Sequence, residues 1–347
     1  MNEISEKSQD VFRSYFHGND IVIVAPLNWG LGHASRCIPV IHWLIQHCAQ
    51  VIIASDGESL ELLKKEFPQL TFESCPGYNI RYKYENILVN MLMALPTMIR
   101  AVNREKAIVK SLSQKYNANV ILSDNRLGCR TKKTRNYYIT HQINILHPNK
   151  LIASLGSALH QWFIKKFDTC FVPDYEGERA ICPALSSGKD IKAVYIGPLT
   201  RIRKFDLPKK TDICVILSGP EPQRSKLESL LLTVLNTLNT YKICFVRGTE
   251  IGSPTVKSEN HISMIDILPS QQIETLLNTS KILIARSGYS TIMDIHLLDI
   301  NAILIPTPGQ TEQEYIADVI KNDYKYYIIN QNETKKLPEI IESMIKS

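Results

Sequence analysis

The 347-residue sequence has no Cys-x-x-Cys pair, no apolar run long enough to cross a bilayer, no short-period repeat and no low-complexity tract. Its eight cysteines are scattered, and Cys37, Cys48, Cys214 and Cys244 sit inside apolar stretches. That pattern excludes a disulfide frame and a zinc ribbon and fits reduced, buried thiols. The missing apolar run excludes a membrane-spanning helix, and the missing repeat excludes a solenoid. The first twenty residues are polar and mixed in charge, with no signal-peptide core and no transit-peptide bias. The expected compartment is therefore the cytoplasm. Net charge is also modest, at +6. It leaves room for nucleotides, phosphates or acidic lipids and requires none of them. What the chain does have is apolar content, 44% of residues, enough to fill the cores of two ordinary domains and to exclude wholesale disorder.

Short apolar runs alternate with helical periodicity along most of the chain. IVIVAP (21–26), QVIIAS (50–55), LTFESC (70–75), NVILSD (119–124), NYYITHQ (136–142), TCFVPD (169–174) and AVYIGP (193–198) read as strands. A long apolar helical stretch is expected around 86–115. Residues 199–212, LTRIRKFDLPKKTD, break the rhythm with basic residues and a proline and read as a linker. Strand and helix then resume through ICVILSGP, KICFVRG, ISMID, KILIARSG and AILIPTP, with a final helical region after them. Alternation of this kind predicts parallel sheets covered by helices, in two successive α/β halves.

In such sheets, ligands bind beyond the carboxyl ends of the strands. Three glycine-bearing segments fall at those ends. The first is NWGLGHAS, with Gly30, Gly32 and His33. The second is LSGPEPQR, with Ser218 and Gly219. The third is ARSGYST, with Arg286, Ser287 and Gly288. Each leads into a helix, whose free N–H groups and positive dipole end suit a phosphate. The first loop, with Asp56 after the next strand, partly mimics a dinucleotide fingerprint. It lacks the third glycine, and a histidine stands inside it. An ordinary strand-to-helix turn is the competing reading of any one loop; three of them, spread over both halves, argue against it.

The same segments resemble MurG-type glycosyltransferases. Residues 285–318, ARSGYSTIMDIHLLDINAILIPTPGQTEQEYIAD, are similar to that family's donor-binding pattern R-S-G-x-x-T-x-x-E, an apolar strand with proline, and a Q-Q-Y element. GLGH (30–33) resembles its glycine loop, and IGPLTR (196–201) the end of its first domain. The resemblance implies a GT-B fold: two Rossmann-like, doubly wound parallel-sheet domains facing an interdomain cleft. A polar tail would occupy 1–19, an acceptor-side domain 20–198, the linker 199–212 and a nucleotide-sugar-binding domain 213–347. It implies donor contacts from Arg286, Ser287, Gly288 and Thr291 along the nucleotide. Asp294 stands where the family has a ribose-binding glutamate, and is shorter. Gln313 and Glu314 stand near the donor sugar, Leu268 beside the base and Arg201 on the diphosphate. Competing readings are a solvated helix carboxylate for Asp294, a local capping box from Thr311 to Glu314, and one more linker base for Arg201.

Transfer from a nucleotide sugar needs a base for the acceptor hydroxyl and stabilisation of the departing diphosphate. His33 is the candidate base, since a neutral imidazole accepts a proton near pH 7; packing in the turn is the alternative. Asp124 and His141, each at a strand end, would bind acceptor or orient His33. No Asp-x-Asp occurs in the chain, so no metal and no other cofactor is expected. The reading is an inverting, metal-independent glycosyltransferase that moves a hexose or N-acetylhexosamine from a UDP-linked donor to a glycan or lipid-linked acceptor. The alternatives are a nucleotide-sugar hydrolase of similar build and a non-catalytic nucleotide-sugar binder. Residues 86–106, apolar with basic residues, and the basic loop with Arg126, Arg130, Lys132, Lys133 and Arg135 suggest peripheral contact with an anionic membrane at the inner face of the plasma membrane. A buried helix and a solvated loop are the plainer account. Nucleic acid is not expected as a partner.

Overall fold

The computed structural model describes residues 4–29, 31–77, 87–188, 191–219, 221–249 and 259–346, with 87–95 described by their backbone. The chain divides into two compact units, Met1–Leu199 and Thr200–Ser347. Unit 1 contains α1 (Glu6–Arg13), β1 (Ile21–Pro26), α2 (Leu31–His47), β2 (Gln50–Ser55), α3 (Gly57–Glu66), β3 (Thr71–Ser74), α4 (Ile87–Lys115), β4 (Val120–Asp124), β5 (Arg135–Ile139), α5 (Lys150–Ile164), β6 (Thr169–Val172), α6 (Pro183–Ser186) and β7 (Ala193–Tyr195). Unit 2 contains β8 (Thr211–Ile216), α7 (Gln223–Leu235), β9 (Ile243–Val246), β10 (Ile262–Ile265), α8 (Ser270–Asn278), β11 (Ser280–Ala285), α9 (Tyr289–Leu298), β12 (Asn301–Leu304), α10 (Thr311–Ile320), β13 (Tyr326–Ile328) and α11 (Leu337–Lys346).

Both sheets are parallel. The order is β3-β2-β1-β4-β5-β6-β7 in unit 1 and β10-β9-β8-β11-β12-β13 in unit 2. The central strands are apolar on both faces: Val22 to Ala25 of β1 and Val120 to Leu122 of β4 are fully buried. This is why they read as continuous rather than alternating runs. In each sheet the chain winds outward from the middle in one direction, then returns to wind in the other. The strand order reverses between β1 and β4 in unit 1 and between β8 and β11 in unit 2. At such a reversal the flanking loops part, which leaves a crevice at the carboxyl ends.

Three expectations need correction. The first nineteen residues are not a polar tail. Ser5 caps α1 by accepting from the Ser8 N–H at 3.2 Å. Phe12 and Phe16, one helical turn apart, are buried, and Phe12 lies 5.4 Å from the Trp43 ring and 5.3 Å from that of Phe171. The Ser8 hydroxyl donates to the carbonyl of Ile196 at the far end of the unit. The charged residues of α1 face water and mask the buried face in the sequence. The supposed linker is likewise tied down. Its Arg203 and Phe205 N–H groups donate to Glu274 and Asn278 of α8, at 2.8 and 2.7 Å, and β8 takes its last two residues. Finally, the C-terminal region is not helical throughout, because β13 adds a sixth strand to the sheet. Among the described residues no helix is long and apolar enough to cross a membrane.

Candidate active site

At the unit 1 reversal, β1 and β4 run side by side with Pro26 opposite Asp124. The chain leaving β1 is held there, because the Leu27 N–H donates to the Asp124 carbonyl at 3.0 Å. Ser59 of α3 pins the next residue, donating its N–H to Asn28 Oδ1 at 3.3 Å. Gly30 lies outside the described residues. α2 then starts at Leu31, so Gly32 and His33 occupy its first turn.

His33 Nδ1 lies 2.7 Å from Asp124 Oδ1. The imidazole is 14% exposed and the carboxylate 1%. Arg36, one turn along α2 and also buried, sends Nε and Nη2 to the two Asp124 oxygens and Nη1 to His141 Nδ1 at 2.6 Å. The Cys37 thiol adds a contact to Asp124 at 3.3 Å. All three residues expected from strand ends and the glycine loop, His33, Asp124 and His141, thus share one network, and Arg36 joins them. Arg36 Nη2 also lies 2.7 Å from His33 Nδ1. One nitrogen cannot serve both neighbours. The ionised Asp124 carboxylate can only accept, so its contact assigns the proton to Nδ1 and leaves Nε2 with its lone pair.

The electrostatics set the charge of the ring. Burial lowers the His33 pKa and the Arg36 charge lowers it further, outweighing the upward pull of Asp124. The ring is therefore neutral near pH 7. Burial pushes Asp124 upward, but the Arg36 charge and the Arg36 and His33 hydrogen bonds outweigh it and hold the carboxyl well below the ordinary range.

Other candidates in this unit serve the fold. Asp56, the acid of the dinucleotide-like pattern, pairs with Arg126 Nη2 at 2.7 Å and accepts the Gly77 N–H at 2.8 Å. Arg126 is not on a basic surface but fully buried, donating to the Pro26 carbonyl and pairing with Glu105. Arg135 reaches Asp20 and the Tyr15 carbonyl.

In unit 2 the loops after β8 and β11 sit at the reversal. Ser218 is half-buried and Gly219 exposed, and the φ of +104° at Gly219 is one that only glycine adopts readily. Gly288 differs. It caps α9 at φ −77°, and a Cβ there would meet nothing closer than 3.9 Å. Among the described residues nothing demands a glycine at that position. Thr291 lies a turn further, half-buried. Leu268 is half-buried just before α8, and Arg201 Nη1 donates to Ser270 of that helix at 3.3 Å while its buried Nε has no partner. Thr200 donates to Asp294 at 2.6 Å. Burial raises the Asp294 pKa despite nearby Arg201.

The remaining donor candidates hold loops together. Arg286 is 1% exposed, and its guanidinium donates to the carbonyls of Ile305, Pro306 and Gln223 and to Gln331. Ser287 donates to the Gln313 carbonyl at 2.9 Å, and Gln313 Oε1 accepts the Thr307 N–H at 2.8 Å. Glu314 accepts the Gly309 N–H at 2.9 Å, while Gln310 rather than Thr311 caps α10. Arg224, downstream of the first loop, is buried in an ion network with Glu228, which also binds Arg247. Among the described residues no cluster of three His, Cys, Asp or Glu could hold a metal ion.

Arg36 was missed by sequence reasoning. Its signal was present: a base three residues after His33, on the inward face of an apolar helix.

Comparison with known proteins fits this layout. Residues 224–347 match the family described as Glycosyltransferase family 28 C-terminal domain. A protein named uncharacterized glycosyltransferase from Methanosarcina acetivorans is 22% identical over 318 residues, 85% of this chain and 81% of that one. Among solved structures, spinosyn forosaminyltransferase SpnP is similar with a TM-score of 0.62 at 10% identity, over 94% of this chain and 90% of that one. Spinosyn rhamnosyltransferase SpnG complexed with thymidine diphosphate follows at 0.61 and 10% identity, over 93% and 92%. The chain therefore has two parallel-sheet α/β domains of the kind found in GT-B glycosyltransferases, and residues 224–347 are similar to the family 28 C-terminal domain.

Proposed function

We propose that this protein is an inverting, metal-independent glycosyltransferase that uses a nucleotide sugar, UDP-linked, and a glycan or lipid-linked acceptor. Its setting would be the cytoplasm, in cell-envelope glycan synthesis, and the donor sugar a hexose or N-acetylhexosamine. The observation that carries the reading is the neutral His33 held by Asp124 at the reversal of the unit 1 sheet. His33 Nε2 takes the proton of the acceptor hydroxyl as its oxygen attacks the anomeric carbon. The bond from that carbon to the diphosphate oxygen breaks, and its electron pair leaves with the diphosphate. A single displacement inverts the anomeric centre. Asp124 keeps Nδ1 protonated and stabilises the imidazolium that forms, as the carboxylate of a catalytic triad does.

Unit 2 supplies the donor contacts in this reading. Gly288 has room that the fold itself does not use, at the N-terminus of α9, where backbone N–H groups favour an anion. Arg201 offers an unpaired N–H beside α8. A protein of similar fold, SpnG, is known in complex with thymidine diphosphate, a ligand of the class proposed here. Arg286, Ser287 and Gln313 shape the loops from behind, and Asp294 receives the ribose hydroxyls. The expected peripheral membrane contact through 86–106 stays part of this reading; the side chains of 86–95 lie outside the described residues.

The test is a panel of UDP, GDP, CDP and dTDP sugars, first by thermal shift and then by nucleotide release with candidate acceptors. Acceptor-dependent release of UDP that a chelator leaves unchanged supports the proposal. Free sugar released without acceptor identifies a hydrolase, and tight binding without product a binding protein.

A further inference from the structure

Unit 1 brings two histidines to one guanidinium. Arg36 follows His33 by three residues on α2 and is 4% exposed, so its fork cannot turn toward water. Nε and Nη2 meet the two Asp124 oxygens, and Nη1 lies 2.6 Å from Nδ1 of His141. His141 stands just past the end of β5, which lies on the other side of β4 from β1. One planar group thus joins α2, the end of β4 and the exit of β5.

Each of these contacts has a direction. A guanidinium only donates, and an ionised carboxylate only accepts. Nδ1 of His141 therefore accepts from Arg36, and that ring carries its proton on Nε2. His33 is the opposite case. Its Nδ1, 2.7 Å from Asp124, carries the proton, and Nε2 keeps the lone pair. Two imidazoles in one site could compete for a proton, but here they do not. His141 already has a proton on Nε2, and a second would have to enter at Nδ1, against the Arg36 N–H. The Arg36 charge also acts on His33. That ring is faced by Arg36 from α2, Asp124 from β4 and His141 from beyond β5, and the Cys37 thiol touches the same carboxylate. Burial lowers the His33 pKa most, Arg36 and to a smaller extent His141 add to it, and Asp124 opposes them.

We propose that Arg36 is a positioning residue that divides the two histidines, fixing His33 as proton acceptor and His141 as hydrogen-bond donor. Arg36 acts through Asp124 and both rings. Lysine is no substitute, because an ammonium is a point charge and cannot meet two carboxylate oxygens and an imidazole along fixed directions. The use made of this division rests on the reaction proposed above. The protonation states themselves need neither donor, acceptor nor turnover.

The experiment is long-range proton–nitrogen NMR on the intact protein with isotope-labelled histidine, the two rings being assigned by their loss in His33→Gln and His141→Gln. Near pH 7 the wild type should show His33 protonated on Nδ1 and His141 on Nε2, with a His33 midpoint below 6.5. Arg36→Gln removes the charge and leaves Asp124 beside His33, so the His33 midpoint should rise by about one pH unit or more. Turnover should then fall more near pH 6 than near pH 8, a pattern that a merely structural defect would not produce. Arg36→Lys keeps a charge beside Asp124. Its His33 midpoint should stay within about half a pH unit of wild type, while His141 shows a mixture of both protonation sites. If Arg36→Gln does not fold, wild type and Arg36→Lys carry the test. His33 protonated on Nε2, His141 protonated on Nδ1, or an unmoved His33 midpoint in folded Arg36→Gln overturns the proposal. The expected protonation states in a protein that turns over no nucleotide sugar would support the proposal and overturn the reaction instead.

Discussion

Asp124 and Asp294 are carboxylates near the sheet reversals, one in each unit; Asp124 is fully buried and Asp294 half-buried, and burial opposes the charge of both. Their pKa values move in opposite directions. Asp124 faces a guanidinium that bonds both its oxygens, so its charge is held. Asp294 receives the Thr200 hydroxyl with Arg201 nearby, which does not offset its loss of hydration. Shielding alone therefore does not decide what such a group does. The partner decides: a fixed cation makes an ionised anchor for a histidine, and a hydroxyl leaves a carboxyl whose charge is disfavoured.

The largest effect should come from Asp124→Asn. It strands the buried Arg36 charge, which costs about 3–5 kcal/mol, and removes the anchor of His33. Urea unfolding reads the first loss and turnover the second; a stable, active variant would end the contrast. His33→Ala should leave the fold intact and lower transfer by roughly 10²–10⁴-fold, the range for a positioned base. Unchanged turnover would remove His33 from the chemistry. In the wild type, the acid limb of kcat/KM should lie below 6.5, the ordinary imidazole value, because the His33 pKa is lowered. A limb above that value would mean Asp124 outweighs Arg36.

The smallest effect belongs to Asp294→Asn, which should change stability by no more than about 1 kcal/mol at neutral pH, in the stabilising direction. Asn can still accept from Thr200, and the penalty on a shielded charge is gone. The pH dependence sharpens the difference. The contribution of Asp124 is complete at neutral pH and is lost as pH falls through its lowered pKa. That of Asp294 is unfavourable above its raised pKa and is relieved as pH falls through it. Melting temperatures of the two Asn variants should therefore be offset from wild type in opposite senses at neutral pH, and both offsets should shrink as pH falls.

The strands were legible because buried parallel strands read as continuous apolar runs, as IVIVAP and KILIARSG do. The reversals were not, since strand order depends on contacts far apart in sequence. At the site, His33, Asp124 and His141 were legible from the strand-end rule, but not their shared partner. Arg36 resembles any base in a helix until Asp124, 88 residues away, is beside it. A motif match also cannot separate contact from support. The Arg-Ser-Gly run suggested a nucleotide contact at Arg286, whereas its guanidinium is used on three carbonyls and a glutamine. Similarly, the N-terminal segment looked polar because the four apolar residues among its first nineteen with buried or aromatic side chains, Ile4, Phe12, Tyr15 and Phe16, are scattered among charges.

The bond from Ser8 to Ile196 brings the entry and exit of unit 1 to one place, and the chain then passes to unit 2 through a single peptide crossing at Leu199–Thr200. A body closed in this way behaves as a cassette. Recombination could replace one half of such a protein with a single splice and leave every strand pairing of the other untouched. A new unit 1 can thus be joined to an old unit 2 without redesigning either sheet, and the place to cut is the short stretch after β7.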